Sequence, residues 1–165
     1  MNRAGALSKL TLIFLIVGFS SAVQAQAIVV NMQVNESETK LTITTPGNCT
    51  RGANHTGCVK GQGKQPINFN LGNKSCSAGG NWGLDYVALG MSEGSTGGLT
   101  ADAASDFNAD AASGRVTPNK QNANHIQIRN NNMSAYDVWY TVYATCGSDV
   151  IDTDPRIEND GSGRN

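Results

Sequence analysis

Four cysteines constrain the fold of this chain more than any other feature of its sequence. They are Cys49, Cys58, Cys76 and Cys146. In a chain that reaches an oxidising compartment, an even number of cysteines indicates a disulfide framework. We predict the pairs Cys49–Cys58 and Cys76–Cys146, because the first spans a short turn-rich stretch and the second ties an early loop to the end of a long strand. The alternative is a zinc site, but the chain has no Cys-x-x-Cys and only two histidines.

The N-terminal residues have the pattern of an export signal. Two basic residues precede a mainly apolar run at residues 10–19, and small residues follow it. This arrangement predicts a signal peptide over residues 1–25, with cleavage after Ala25 or, as second choice, after Ala27. A membrane-spanning helix needs about 20 apolar residues, so the run is too short to be an anchor. We therefore expect a secreted or periplasmic protein without a membrane span.

The charge of the predicted mature chain limits its partners. Two of the twelve basic residues lie in the signal and none of the thirteen acidic residues does, which leaves a net charge of −3. Nucleic acids and anionic membranes require a basic surface, so neither is expected as a partner. The length that remains fits one domain.

Short stretches in which apolar and polar residues alternate predict β-strands. The strongest is 136–146, where aromatic and β-branched residues dominate. The predicted strands are 27–34, 40–45, 66–71, 82–91, 125–129, 136–146 and 150–153.

The segments between these strands are less regular. Residues 99–108 fit either a short helix or a long loop. Asn130-Asn131-Asn132 is predicted to be the turn of a hairpin between the last two major strands. Pro155 is expected to end strand pairing, and residues 158–165 are predicted to be a disordered tail.

These strands, together with polar connections and two disulfides, predict an all-β fold. We expect a single antiparallel β-sandwich over residues 26–157, immunoglobulin-like or Greek-key in topology and disulfide-bonded. A partly closed barrel is the alternative.

The order of several motifs resembles short exported bacterial proteins of unassigned function that have an immunoglobulin-like β-sandwich pattern. The motifs are a Cys-rich first third, a Trp-containing strand, Asp-Phe-Asn-Ala-Asp, Tyr-Asp-Val-Trp-Tyr in a strand that ends in Cys, and Asp-Pro-Arg-Ile-Glu-Asn-Asp-Gly. They describe packing and turns, so the resemblance implies no particular activity.

One motif resembles the nucleophile turn of serine hydrolases. Gly90-Met91-Ser92-Glu93-Gly94 follows a predicted strand, and acidic residues and His125 come later in the chain. The serine of such a site must lie on a sharp strand-to-helix turn. Residues 95–98 would not continue a helix, so we assign no catalytic residue. A hydrolase that uses Ser92 and His125 is the alternative, with Asp106 and Asp110 as its acidic candidates.

Asp106, Asn108 and Asp110 place oxygen ligands at alternate positions, as calcium loops do. A complete EF-hand loop would need glycine at the sixth position and glutamate at the twelfth, where this chain has Ala111 and Thr117. We therefore predict no metal and no cofactor, and weak calcium binding is the alternative.

The sequence thus favours a non-catalytic binding or structural domain of the cell envelope or extracellular space. Its partner is unknown. Another protein is one candidate, and self-association through the first strand is another.

Overall fold

The computed structural model describes residues 26–51 and 56–164, with the backbone alone at residues 119–121 and 164. The predicted signal peptide at 1–25 therefore lies outside the described residues. The strands are β1 (Ile28–Val34), β2 (Leu41–Ile43), β3 (Val59–Gly61), β4 (Ile67–Leu71), β5 (Gly83–Gly90), β6 (Asn119–Asn122), β7 (His125–Ile128), β8 (Ala135–Cys146), β9 (Asp149–Thr153) and β10 (Arg156–Asp160). One helix, α1 (Ala101–Phe107), follows β5, and a 3₁₀ turn, Ser162–Arg164, follows β10.

The strands form two sheets. In sheet A the order is β2-β1-β4-β7-β6, and in sheet B it is β3-β10-β8-β5, with β9 also paired to β8. The inward-facing residues of both sheets belong to one buried core. The rings of Phe69 in sheet A and Tyr140 in sheet B lie 5.1 Å apart across it. The prediction of an all-β, disulfide-bonded fold is confirmed.

Both sheets are mixed, so the prediction of purely antiparallel pairing is wrong. β1 pairs with β4 in parallel, and β3 pairs with β10 in parallel. Alternation along a segment shows which side chains face the core, but it does not show which strands become neighbours. The parallel pairs join segments that are distant along the chain, and no local pattern reveals them.

Both predicted disulfides are confirmed. Cys49–Cys58 closes the connection between β2 and β3, and Cys76–Cys146 joins the connection between β4 and β5 to the end of β8. The four cysteines are buried.

The predicted hairpin turn at Asn130-Asn131-Asn132 is wrong. This segment connects β7 of sheet A to β8 of sheet B, and Asn130 and Asn132 are buried. A tight hairpin joins β8 and β9 instead, where Cys146 pairs with Asp149 across two turn residues. The polar composition of the asparagine run was misleading because its amides are satisfied inside the protein.

The predicted disordered tail is also wrong. β10 lies between β3 and β8 in sheet B, and it continues the pairing of β9 with β8 in the same register beyond Pro155. Ile157, Glu158 and Asn159 are at most 1% exposed. The domain therefore extends past residue 157, because hydrogen bonds compensate for the burial of polar side chains in this strand.

Of the two alternatives for residues 99–108, the helix is the one observed. The Thr100 hydroxyl caps α1 by accepting a hydrogen bond from the Ala103 backbone N–H at 3.2 Å. Asn108 ends the helix in the left-handed conformation, with φ of 53°.

Candidate functional site

The loop that contains Ser92 is closed by hydrogen bonds of its own. The hydroxyl oxygens of Ser92 and Ser95 are 3.0 Å apart, and the Ser95 hydroxyl donates to the Ser92 carbonyl at 2.7 Å. β5 leads into this loop, and no helix begins until Ala101. The strand-to-helix turn that would present a nucleophile is therefore not formed at Ser92.

His125 lies far from this loop. The backbone N–H of Leu84, at the start of β5, donates to the carbonyl of Ala123, which places the turn before His125 beside that end of the strand. Ser92 follows Gly90, at the other end of β5. At about 3.3 Å per residue, these ends are roughly 20 Å apart. The fold does not bring together Ser92 and His125, the candidate pair of the hydrolase alternative.

The three candidate ligands of the calcium alternative are not brought together either. Asp106 is 2% exposed, and its Oδ2 accepts from the Tyr136 hydroxyl at 2.7 Å and from the Met133 backbone N–H at 3.0 Å. Burial and this hydrogen bond raise the pKa of Tyr136. Asp106 therefore anchors α1 to the start of β8.

Asp110 serves a different turn. Its Oδ1 accepts from the backbone N–H and the hydroxyl of Ser113, both at 2.8 Å, and these bonds lower the pKa of Asp110. Asn108 lies between the two aspartates as the C-cap of α1. Within the described ranges, no three His, Cys, Asp or Glu side chains are grouped so that they could hold a metal ion.

A charge cluster in which Arg156 and Glu158 are buried joins β10 to the Cys49–Cys58 loop. We call it the Glu158 cluster, and it consists of Arg51, Lys60, Asp137, Arg156 and Glu158. Glu158 accepts three hydrogen bonds at 2.7 Å, from the backbone N–H and hydroxyl of Thr50 and from the backbone N–H of Arg51.

The charges of this cluster are largely compensated within it. Burial raises the pKa of Glu158, but the bonds from Arg51 and Thr50 outweigh burial, so the pKa of Glu158 is lowered overall. The Arg156 guanidinium donates to the Arg51 carbonyl and lies 3.5 Å from an Asp137 carboxylate oxygen. The cluster therefore holds the disulfide loop against sheet B, and each of its two carboxylates is paired with basic side chains.

Buried side-chain amides form a second set of hydrogen bonds that holds two segments together. The side chains of Asn130 and Asn159 donate to each other, at 2.9 and 3.1 Å. The Asn132 amide donates to the Asp160 carboxylate at 2.7 Å and accepts from the Gly161 backbone N–H at 2.9 Å. These bonds hold the segment between β7 and β8 against β10 and the residues that follow it.

A shallow groove of about 320 Å³ lies between β2 and the junction of β9 and β10. Its acidic group is Asp154, whose Oδ2 accepts from the Gly94 backbone N–H. Burial raises the pKa of Asp154, and the nearby carboxylates of Glu93 and Asp152 raise it further. The residues that line this groove also include Lys40 and the hydroxyl residues Thr42, Thr56 and Thr153.

The outer surface of three neighbouring strands of sheet A consists mainly of uncharged polar side chains. We call it the amide face, and it consists of the outward positions of β1, β4 and β7: Val29, Asn31, Gln33, Asn68, Asn70, His125 and Gln127. The strand register aligns these residues in rows. One row is Val29, Asn68 and Gln127, and the next is Asn31, Asn70 and His125.

Sequence reasoning missed this surface. The alternation of β1, β4 and β7 identified their outward positions as polar. It did not show that these three strands are neighbours, because two of the three are paired in parallel. The available signal was the repeated use of Asn and Gln at outward positions in separate strands.

Comparison with known proteins does not identify a family. The chain matches no protein-family model, and no curated protein matches it. The resemblance to exported bacterial proteins thus stays a prediction. No helix in the described segments is long and apolar enough to cross a membrane.

Proposed function

We propose that the mature chain is a non-catalytic binding domain of the cell envelope or extracellular space. One observation carries this proposal: the side chains that could have formed a catalytic or metal site are separated and engaged in local structure. Ser92 bonds Ser95, Asp106 bonds Tyr136, and Asp110 bonds Ser113. What remains exposed is an extended sheet surface, which suits binding better than bond cleavage.

The proposed location follows from the signal pattern and the disulfides. Two disulfide bonds are typical of proteins in oxidising compartments. With the apolar segment and small-residue exit of the first 25 residues, they support secretion or a periplasmic location.

Self-association through the first strand receives little support. β1 pairs with β2 over its second half and with β4 over its first half and centre. Most of its backbone groups are therefore engaged within sheet A, and the side of its first half that faces away from β4 has no paired strand among the described residues. The proposal accordingly concerns a partner that binds the folded surface.

The experiment that tests this function is native mass spectrometry of the mature protein purified from its own host, with and without a calcium chelator. We expect a chain that begins near residue 26, four hydrogens lighter than its reduced form, with a co-purified partner that the chelator does not release. A bound metal that the chelator removes would contradict the proposal.

The hydrolase alternative is tested separately with a broad panel of ester, peptide and glycoside substrates. The wild-type chain and Ser92→Ala are compared, and we expect turnover by neither. Turnover that Ser92→Ala abolishes would replace the binding function with an enzymatic one.

A further inference from the structure

The amide face has an unusual chemical composition for an exposed sheet surface. None of its seven positions holds Asp, Glu, Lys or Arg, and five hold Asn or Gln. The outer face of sheet B differs, since it presents Asp137 and Asp152 together with the stacked rings of Tyr86 and Tyr143. The absence of charge is thus a property of these seven positions of the amide face.

Hydrogen bonds between neighbouring amides occupy only some of the donors and acceptors of this face. Asn70 donates to Asn31 at 3.2 Å, and Gln127 donates to Asn68 at 2.8 Å. Each primary amide offers two donor hydrogens and a carbonyl acceptor. Donor and acceptor atoms beyond these two bonds therefore remain available, about 4.8 Å apart from strand to strand within each row.

The same composition argues against most classes of partner. A face without cations lacks the charges that bind phosphates or sulfates. Val29 is its one apolar residue, at 41% exposure, so the face lacks the aromatic or aliphatic anchors of a protein interface. Hydroxyl groups of a neutral polymer both donate and accept, as the amides do, and need no charge to bind them.

We propose that the amide face binds an uncharged polysaccharide. This inference rests on the proposed binding function and specifies its ligand class. The chain would lie flat across β1, β4 and β7, with its hydroxyls bonded to Asn31, Asn70 and Gln127 near the centre of the face. If the predicted cleavage is correct, the mature chain begins at the first described residue, so the signal does not cover this surface.

The test measures retention of the mature protein on insoluble cellulose, chitin, β-1,3-glucan and starch, with polygalacturonate as the charged counterpart. We expect retention on at least one neutral polymer, unchanged in about 0.5 M NaCl, because salt screens charges and not neutral hydrogen bonds. The variant Asn31→Ala/Asn70→Ala/Gln127→Ala should bind about tenfold more weakly or worse, since three neutral hydrogen-bonding groups are lost.

The matched control is Thr145→Ala/Asp152→Ala on sheet B, which should bind as the wild type does. Thermal unfolding checks that both variants fold, and the single variant Asn70→Ala provides a milder change at the centre of the face. The inference is wrong if no neutral polymer retains the protein, if the triple variant binds equally well, or if salt displaces the protein.

Failure of this inference can be told from failure of the proposed function. If a protein ligand co-purifies and no polysaccharide retains the chain, the proposed ligand class is wrong and the proposed binding function stands. If a polysaccharide retains the chain and is also cleaved by it, the proposed ligand class is correct and the proposed non-catalytic function is wrong.

Discussion

At Glu158, burial raises the pKa of the carboxylate and hydrogen bonding lowers it. The residue is 1% exposed, and Thr50 and Arg51 supply its hydrogen bonds. Removing the charge of such a group leaves donors that were arranged for an anion. The identity of this residue should therefore matter more than that of any exposed acid in the chain.

We predict that Glu158→Gln lowers the free energy of unfolding by about 2–4 kcal/mol, measured by urea denaturation at pH 7. Glu36→Gln, at an exposed turn, is the control and should change stability by less than about 0.5 kcal/mol. Equal effects of the two substitutions would show that the hydrogen bonds to Glu158 contribute little to the free energy of unfolding.

The same residue predicts a pH dependence. The folded-state pKa of Glu158 is lowered from its ordinary value of 4.5. The stability that the ionised Glu158 carboxylate contributes is therefore present in full above pH 4.5 and is lost as the pH falls through the folded-state pKa. Wild type and Glu158→Gln should differ most near neutral pH and converge in acid, and urea titrations at a series of pH values would measure this.

At the scale of elements, the sequence predicted strands better than it predicted their neighbours. β1, β2, β4, β5, β7, β8 and β9 correspond to predicted segments. β10 was missed because Glu158, Asn159 and Asp160 are typical of a solvated tail, and only its partners in β3 and β8 make burial favourable. β3 was missed because three residues are too few to show alternation.

Deleting residues 158–165 should abolish cooperative folding, since β3 and the first part of β8 would lose their shared partner. Deleting Asn165 alone is the control and should have no effect. Circular dichroism during thermal unfolding distinguishes the two. A cooperative transition in the shorter chain would mean that β10 is dispensable.

At the scale of the whole molecule, both disulfides were predictable from cysteine spacing, whereas the candidate surface was not. The pairing followed from chain order, which the sequence displays directly. The amide face depends on Asn31, Asn70 and His125 meeting across three strands, and that is a property of the assembled sheet. The candidate hydrolase residues were recognisable, but their separation along β5 was not.

The Cys49–Cys58 disulfide should contribute more to the free energy of unfolding than its loop length alone implies. Loop entropy gives roughly 4–4.5 kcal/mol for Cys76–Cys146 and roughly 2.5 kcal/mol for Cys49–Cys58. Replacing Cys49 and Cys58 by alanine should cost more than 2.5 kcal/mol by this estimate, because the closed loop also positions Thr50 and Arg51 on Glu158. Urea denaturation of this variant combined with Glu158→Gln should show a total smaller than the sum of the separate effects.

The parallel pairing of β3 with β10 has a consequence for when the protein can fold. The two strands are separated by most of the chain, so sheet B cannot close until residues 156–160 have been synthesised. Contacts between such distant segments slow folding. If the chain is exported, as proposed above, and passes N-terminus first through a narrow pore, late closure of sheet B keeps the chain open until its last strand has been made.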